Sequence, residues 1–233
     1  MSEYRERLLG FLKSRGAGGA SALFAGEPSP APSSRPAADS DLRRRFAREL
    51  VAVGGEAIDL AAVDDPEAAV RERLARIGGG GVAIDADPAW GRVGLAVDEI
   101  AREAGLDVER VDGSTSAAAL RDTALGLTIA DAAIAEIGAI AQCARPFRPR
   151  SLSLVPPRHV VFVPADRLLP GLEDLFDGLS SGAPWAGGVD GFAAYFTWIT
   201  GPSRTADIEK TLTIGIHGPG ELTVFLLASG VDR

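Results

Sequence analysis

The densest run of chemically capable side chains is Thr200-Gly201-Pro202-Ser203-Arg204-Thr205-Ala206-Asp207-Ile208-Glu209-Lys210, directly after the apolar stretch AYFTWI. A strand opening into a Gly-Pro-Ser turn exposes backbone N–H groups, usually at the carboxyl edge of an open α/β sheet. With hydroxyls on Ser203 and Thr205 and the guanidinium of Arg204, the set suits a phosphate or carboxylate. The same residues also suit a capped loop in which Arg204 pairs with Asp207 or Glu209. A little further on, Gly215-Ile216-His217-Gly218-Pro219-Gly220 holds one of the chain's two histidines in a Gly-Pro turn. His217 there can serve as a general acid or base, as a donor to an anion, or as a backbone cap. With Gly201, Ser203, Arg204, Thr205, Asp207 and Glu209, Gly218 completes the candidate ligand-binding set.

Glu136 is a lone acid in the apolar run IADAAIAEIGAIA. A carboxylate in such a setting either faces a cleft or sits solvated at the edge of an element, because burial without a partner is costly. Arg145 and Arg148, in RPFRPRS, read as a solvated basic loop or as part of an acidic-ligand site. His159, entering the strand RHVVFV, reads as structural. Asp207, Glu209 and His217 match no metal-ligand spacing, so no metal is expected. The single cysteine, Cys143, excludes a disulfide framework, a four-cysteine zinc site and an iron–sulfur cluster within this chain, and no other cofactor is implied.

These residues need a scaffold, and the pattern around them is α/β. The run EYRERLLGFLKSR at 3–15 carries Tyr4, Leu8, Phe11 and Leu12 at helical spacing. Residues 16–39, rich in Gly, Ala, Ser and Pro, read as a flexible linker, and residues 40–233 as one α/β domain. Ser40 is placed to cap a helix through Leu42, Phe46, Leu50 and Val51. Asp65-Pro66 is a strong helix start. Short apolar strands at 56–60, 82–85 and 108–111 alternate with helices near 66–77 and 93–104, the mark of a parallel sheet flanked by helices. Residues 123–143 are ambiguous: Ala-rich and helical by propensity, yet compatible with short strands. Further strands fall at 159–163, 193–199 and 222–227, with a helix at 168–179. The formal net charge of −8 argues against broad attraction to nucleic acid or acidic lipid. No apolar run reaches the ~20 residues of a membrane helix, and the first residues carry no secretory apolar core; a cytoplasmic protein is expected.

The string ITGPSRTADIEKTLTIGIHGPGELTVFLL, Ile199 to Leu227, resembles the C-terminal signature of the lactate-utilisation protein C family (LutC/YkgG, LUD domain). LTIADAAIAEIGAI, Leu127 to Ile140, and SLVPPRHVVFVP, Ser153 to Pro164, fit the same family, and the likeness runs from about Glu49 to Leu227. The resemblance implies a three-layer α/β/α fold similar to the NagB/RpiA/CoA-transferase group, with 128–142 extended rather than helical. It implies an accessory or ligand-binding role in cytosolic L-lactate oxidation, beside one iron–sulfur subunit and one cysteine-rich subunit that would carry the redox centres. Where the family pattern has Thr-Gly-Thr after the glutamate, this chain has Ile137-Gly138-Ala139, and two hydroxyls are missing beside Glu136. The alternatives are a stand-alone enzyme related to CoA transferases or sugar-phosphate isomerases, with Glu136 and His217 catalytic, and a regulatory module that senses a small anion.

Overall fold

The computed structural model describes residues 39–143, 145–181, 183, 196–206 and 212–228. The helix expected over 3–15 and nearly all of the linker expected over 16–39 lie outside these residues. Helix α1, Asp39–Ala52, begins with Asp39 and Asp41 in its first turn, where the helix dipole favours acids. Ser40 lies inside this helix rather than at its cap. Strand β1 (Glu56–Asp59) follows, then α2 (Pro66–Ala75). As expected, Asp65 caps α2, its side chain accepting from Ala68 N, with proline in the first turn. Next come β2 (Gly80–Asp85), a 3₁₀ turn at Pro88–Arg92, α3 (Val97–Glu103) and β3 (Leu106–Val111). The second half holds β4 (Thr123–Ile129), β5 (Ala132–Ile134), β6 (Ala139–Cys143), a 3₁₀ turn at Arg150–Ser153, β7 (Arg158–Val163) and β8 (Leu168–Leu169). It closes with α4 (Leu172–Ser181), β9 (Phe196–Ile199), β10 (Arg204–Ala206), β11 (Leu212–Ile214) and β12 (Glu221–Leu226).

Six strands form one parallel sheet in the order β1-β12-β7-β4-β2-β3. The fold is α/β, as the strand–helix alternation predicts. One face of this sheet carries Val82, Ile84, Leu125, Leu127, Ile129 and Phe162, which pack with Val70 and Leu74 of α2 and Val97 and Ile100 of α3. On the other face Val161, Val163, Val224 and Leu226 meet Phe46 and Leu50 of α1, together with Ala133 and Ile140 of a second sheet. That second sheet has the order β8-β5-β6-β9, with β5, β6 and β9 antiparallel. Residues 128–142 are therefore mostly extended. Helix propensity loses here because every residue of β5 and β6 is buried between α4 and the main sheet.

Strand β3 lies outside β2, and the chain then crosses back to place β4 on the other side of β2. The direction of winding reverses between β2 and β4. In open α/β sheets, the crevice beyond the carboxyl ends of two such strands is the usual ligand position.

Candidate functional site

Strand β2 ends on Asp85, followed by Ala86-Asp87, and β4 runs out through Ala130 into Asp131. All three carboxylates are buried beside this switch point, and one cation joins them. The Arg148 guanidinium, 4% exposed, donates from Nε to Asp85 (2.7 Å), from Nη1 to Asp131 (2.6 Å) and from Nη2 to Asp87. Burial by itself would loosen the Arg148 proton, but Asp131, Asp85 and Asp87 outweigh it and hold that proton more firmly than usual. Asp85 is shifted the other way: burial raises it to about 6 against the pull of Arg148. Arg145 adds a second cation on Asp131 at 3.2 Å, and Cys143 N donates to the same carboxylate at 2.7 Å. The Cys143 thiol is pushed up to about 11 by burial and by Asp131, so it is no nucleophile at neutral pH.

The loop carrying Arg148 is held by backbone as well as charge. Phe147 O accepts from Ala86 N at 3.0 Å, and Pro146 O from Gly113 N at 2.7 Å. Two glycines permit the approach. A Cβ on Gly113 would lie 2.7 Å from Pro146 O, and one on Gly126 would lie 2.4 Å from Leu152 O. The 3₁₀ turn 150–153 can thus rest directly on β4.

Between this loop and the second sheet is a small cleft lined by Thr128, Gln142, Cys143, Arg148, Pro149, Arg150, Ser153 and Thr197. Its charged wall residues are two arginines, and the aspartates stand behind Arg148. Under it lies a buried polar chain. Gln142 Nε2 donates to Thr128 Oγ1 at 2.6 Å, and His159 Nε2 meets the same oxygen at 2.9 Å. Full burial, with Arg148 nearby, lowers His159 to about 3, so its ring is neutral. Its Nδ1 is buried without a partner.

The residues singled out in the sequence fall elsewhere. Ser203 N donates to Pro219 O, Gly215 N donates to Ser203 O, and Gly218 lies against the Ser203 side chain, so the two turns do meet. They meet at the amino edge of the main sheet, not the carboxyl edge. Strand β9 belongs to the small sheet, and the turn at 215–220 enters β12 at its amino end, with Gly220 N bonded to Pro157 O just before β7. Gly201, at φ 95°, packs against Val53. Arg204 is exposed and donates to Val53 O just beyond α1. His217 is exposed. Thr205 pairs through its backbone with Thr213, while Asp207 and Glu209 lie outside the described residues. Glu136 is 47% exposed, accepts from Leu172 N at the start of α4 (3.4 Å) and lies 3.9 Å from Arg45. That is a solvated position favoured by the α4 dipole.

Arg148 is the residue whose reading changes most: it is a buried hub, not part of a solvated loop. Its partners lie 17 to 63 positions away in the chain, and no local spacing connects them. The available signal was an acid directly after each apolar run, VAIDAD and TIAD, with no basic neighbour to match it.

The model of the LUD domain family matches residues 44–227. The chain belongs to this family. Proteins called lactate utilization protein C are similar to this LUD chain: one from an Exiguobacterium species at 37% identity, covering 44% of each chain. That of Bacillus subtilis is 29% identical over 69% of this chain and 68% of the relative, and that of Bacillus licheniformis 31% identical over 65% and 64%. The chain thus spans between about two fifths and two thirds of these relatives' lengths. The crystal structure of a DUF162-family protein from Deinococcus radiodurans shares the fold, with TM-score 0.55 and 21% identity over 83% of this chain and all of that one. Among the described residues of the LUD chain, no helix is long and apolar enough to cross a membrane.

Proposed function

We infer that the protein is a non-redox, ligand-binding subunit of an L-lactate-utilisation system, and that its small anionic ligand binds in the switch-point cleft. The observation that carries the ligand site is its position: Arg148 and Arg150 line a cleft beside the β2–β4 switch point, the usual ligand position of an open α/β sheet. The lactate context rests on the relatives' names and on the LUD family match. A single buried cysteine leaves this chain no cluster chemistry, so electron transfer falls to iron–sulfur and cysteine-rich partner subunits. Co-purification from a host that oxidises L-lactate tests this. The tagged protein brings down a subunit with iron–sulfur clusters, while the isolated protein is colourless. Stoichiometric iron on the isolated protein would contradict the reading.

A second reading places the anion at the amino edge, among Gly201, Ser203, Arg204, Thr205, Gly218 and His217. Favouring it is the approach of the Ser203 side chain to Gly218, which brings the two Gly-Pro turns together. The substitution Arg204→Ala separates the two readings, as described below. A stand-alone transferase or isomerase with Glu136 and His217 as catalytic pair has less support, since Glu136 caps α4 and His217 belongs to the amino-edge turns.

A further inference from the structure

We propose that the chain's own residues 3–15 dock, as a basic amphipathic helix, on an aromatic patch formed by α4 and β9. The proposal is independent of where the anionic ligand binds.

The patch lies on the α4 side of the second sheet. Side chains alternate along a strand, so Phe196 and Trp198 of β9 point to the same face. Phe196 packs with the fully buried Leu175 of α4, and Leu172 and Leu179 join the same cluster. Phe176, the next residue of α4, turns outward. Its ring lies 6.2 Å from that of Trp198, centroid to centroid, and Trp198 meets Phe196 edge-on at 5.3 Å. Phe176 is 48% exposed and Trp198 38%, so two large aromatic side chains stand in water as one pair. Paired aromatics of this kind are the usual anchors of an interface. The helix beside them is acidic: α4 carries Glu173, Asp174 and Asp177 and no base. Asp174 turns back to accept from Gly171 N, while Glu173 is exposed.

The occupant follows from charge, from periodicity and from where the chain enters the domain. Residues 3–15 lie outside the described residues, but their sequence is EYRERLLGFLKSR. Tyr4, Leu8, Phe11 and Leu12 stand at i, i+4, i+7 and i+8, the anchor spacing of a helix laid on an apolar surface. Arg5, Arg7, Lys13 and Arg15 outnumber Glu3 and Glu6, so the segment is basic where α4 is acidic. A helix this short is marginal alone in water, below the ~12–15 residues that isolated helices need, and its stripe requires a surface. Helix α1 begins at the carboxyl edge of the main sheet: Arg43 donates to Asp59 at the end of β1 and to Leu227 O just after β12. Arg45, two residues on, lies 3.9 Å from Glu136, which accepts from Leu172 N at the start of α4. The chain therefore enters the domain close to α4. Six residues of helix advance only ~9 Å, and residues 16–38, with an extended length of ~80 Å, span from Asp39 to the patch with ease. The exposed Ile214 and Ile216 are a poorer match. They belong to the amino edge, at the far end of α1, where the exposed cation of Arg204 repels a basic segment.

Hydrogen exchange of the full chain, read by mass spectrometry, tests the contact. The amides of residues 4–15 exchange at least tenfold more slowly than in the free peptide of the same sequence, and to the same extent across a hundredfold range of protein concentration. Leu8→Asp combined with Phe11→Asp abolishes this protection and speeds exchange of residues 172–181. Phe176→Ser and Glu173→Lys, both at exposed positions, each reduce the protection of residues 4–15 at least threefold. Glu173→Lys keeps the test valid if Phe176→Ser fails to fold. Free-peptide exchange rates in the wild type overturn the docking. Protection that neither Phe176→Ser nor Glu173→Lys weakens also overturns it, by placing the segment on another surface. Protection that fades on dilution overturns the contact within one chain and assigns the segment to a second copy.

Discussion

Replacing Arg148 with methionine removes the only cation among the described residues that touches all three buried aspartates. Asp85 is fully buried, Asp131 5% exposed and Asp87 7% exposed, so none can turn to water without moving the loop. Breaking one buried pair by removing a partner costs about 3–5 kcal/mol. Arg145 still faces Asp131, so one to two carboxylates are stranded and the loss falls in or somewhat above that range. For a domain of this size each kcal/mol lowers the melting temperature by about 2–4 °C, giving a fall of roughly 6–20 °C at pH 7.5. The deficit depends on pH with a definite sign. Without Arg148 the folded-state pKa of Asp85 rises further above its unfolded value. Asp85 holds its proton better when folded, so stability drops as pH rises through the window between the two values and recovers as pH falls. Asp85 is already raised to about 6 in the wild type. Calorimetry at pH 7.5 and pH 5 should therefore find the gap between wild type and Arg148→Met smaller at pH 5. A fall below ~3 °C at pH 7.5, or a gap that widens at pH 5, would show that Arg148 is not the hub described.

Three other outcomes follow from the same geometry. His159, lowered to about 3 by burial, stabilises the fold fully above its unfolded value near 6.5 and loses that contribution as pH falls. Relative to His159→Gln, the wild type should weaken below pH 6.5 by up to ~1.4 kcal/mol per pH unit, measured by urea unfolding at stepped pH; parallel curves would contradict it. Gly126→Ala forces a Cβ to within 2.4 Å of Leu152 O and should cost about 1–3 kcal/mol while reducing anion affinity, because the 150–153 wall must shift; a variant as stable as wild type would refute the close approach. Arg204→Ala removes one hydrogen bond to Val53 O and should lower stability by about 0.5–1.5 kcal/mol without changing anion affinity, whereas a tenfold loss of affinity would move the ligand to the amino edge.

What the sequence made legible is what local physics controls. Asp65-Pro66 announces α2 because cap and first turn are adjacent in the chain, and VAID and RHVVFV announce strands because β-branched runs fill a pleated, buried surface. The stretch from Thr128 to Cys143 was undecidable from propensity, since alanine packs equally well in a helix or in a thin strand pressed between two layers. The extended outcome is set by β9 and β8, which lie outside that stretch. Gathering of the two Gly-Pro turns was legible from their proximity in the chain, but their edge was not, because it depends on β9 leaving the main sheet. The Arg148 cluster was hidden for the same reason: four residues from three separate segments of the chain meet only once the order β4-β2-β3 is known.

The most direct test of the central claim is genetic complementation in a host that oxidises L-lactate through such a system and has no other lactate dehydrogenase. Deleting the gene should stop growth on L-lactate but not on pyruvate, the wild-type gene should restore it, and Arg150→Gln, folded and expressed at wild-type level, should not. Normal growth of the deletion strain on L-lactate would contradict the assignment to lactate utilisation, and full rescue by Arg150→Gln would contradict the cleft as its working site.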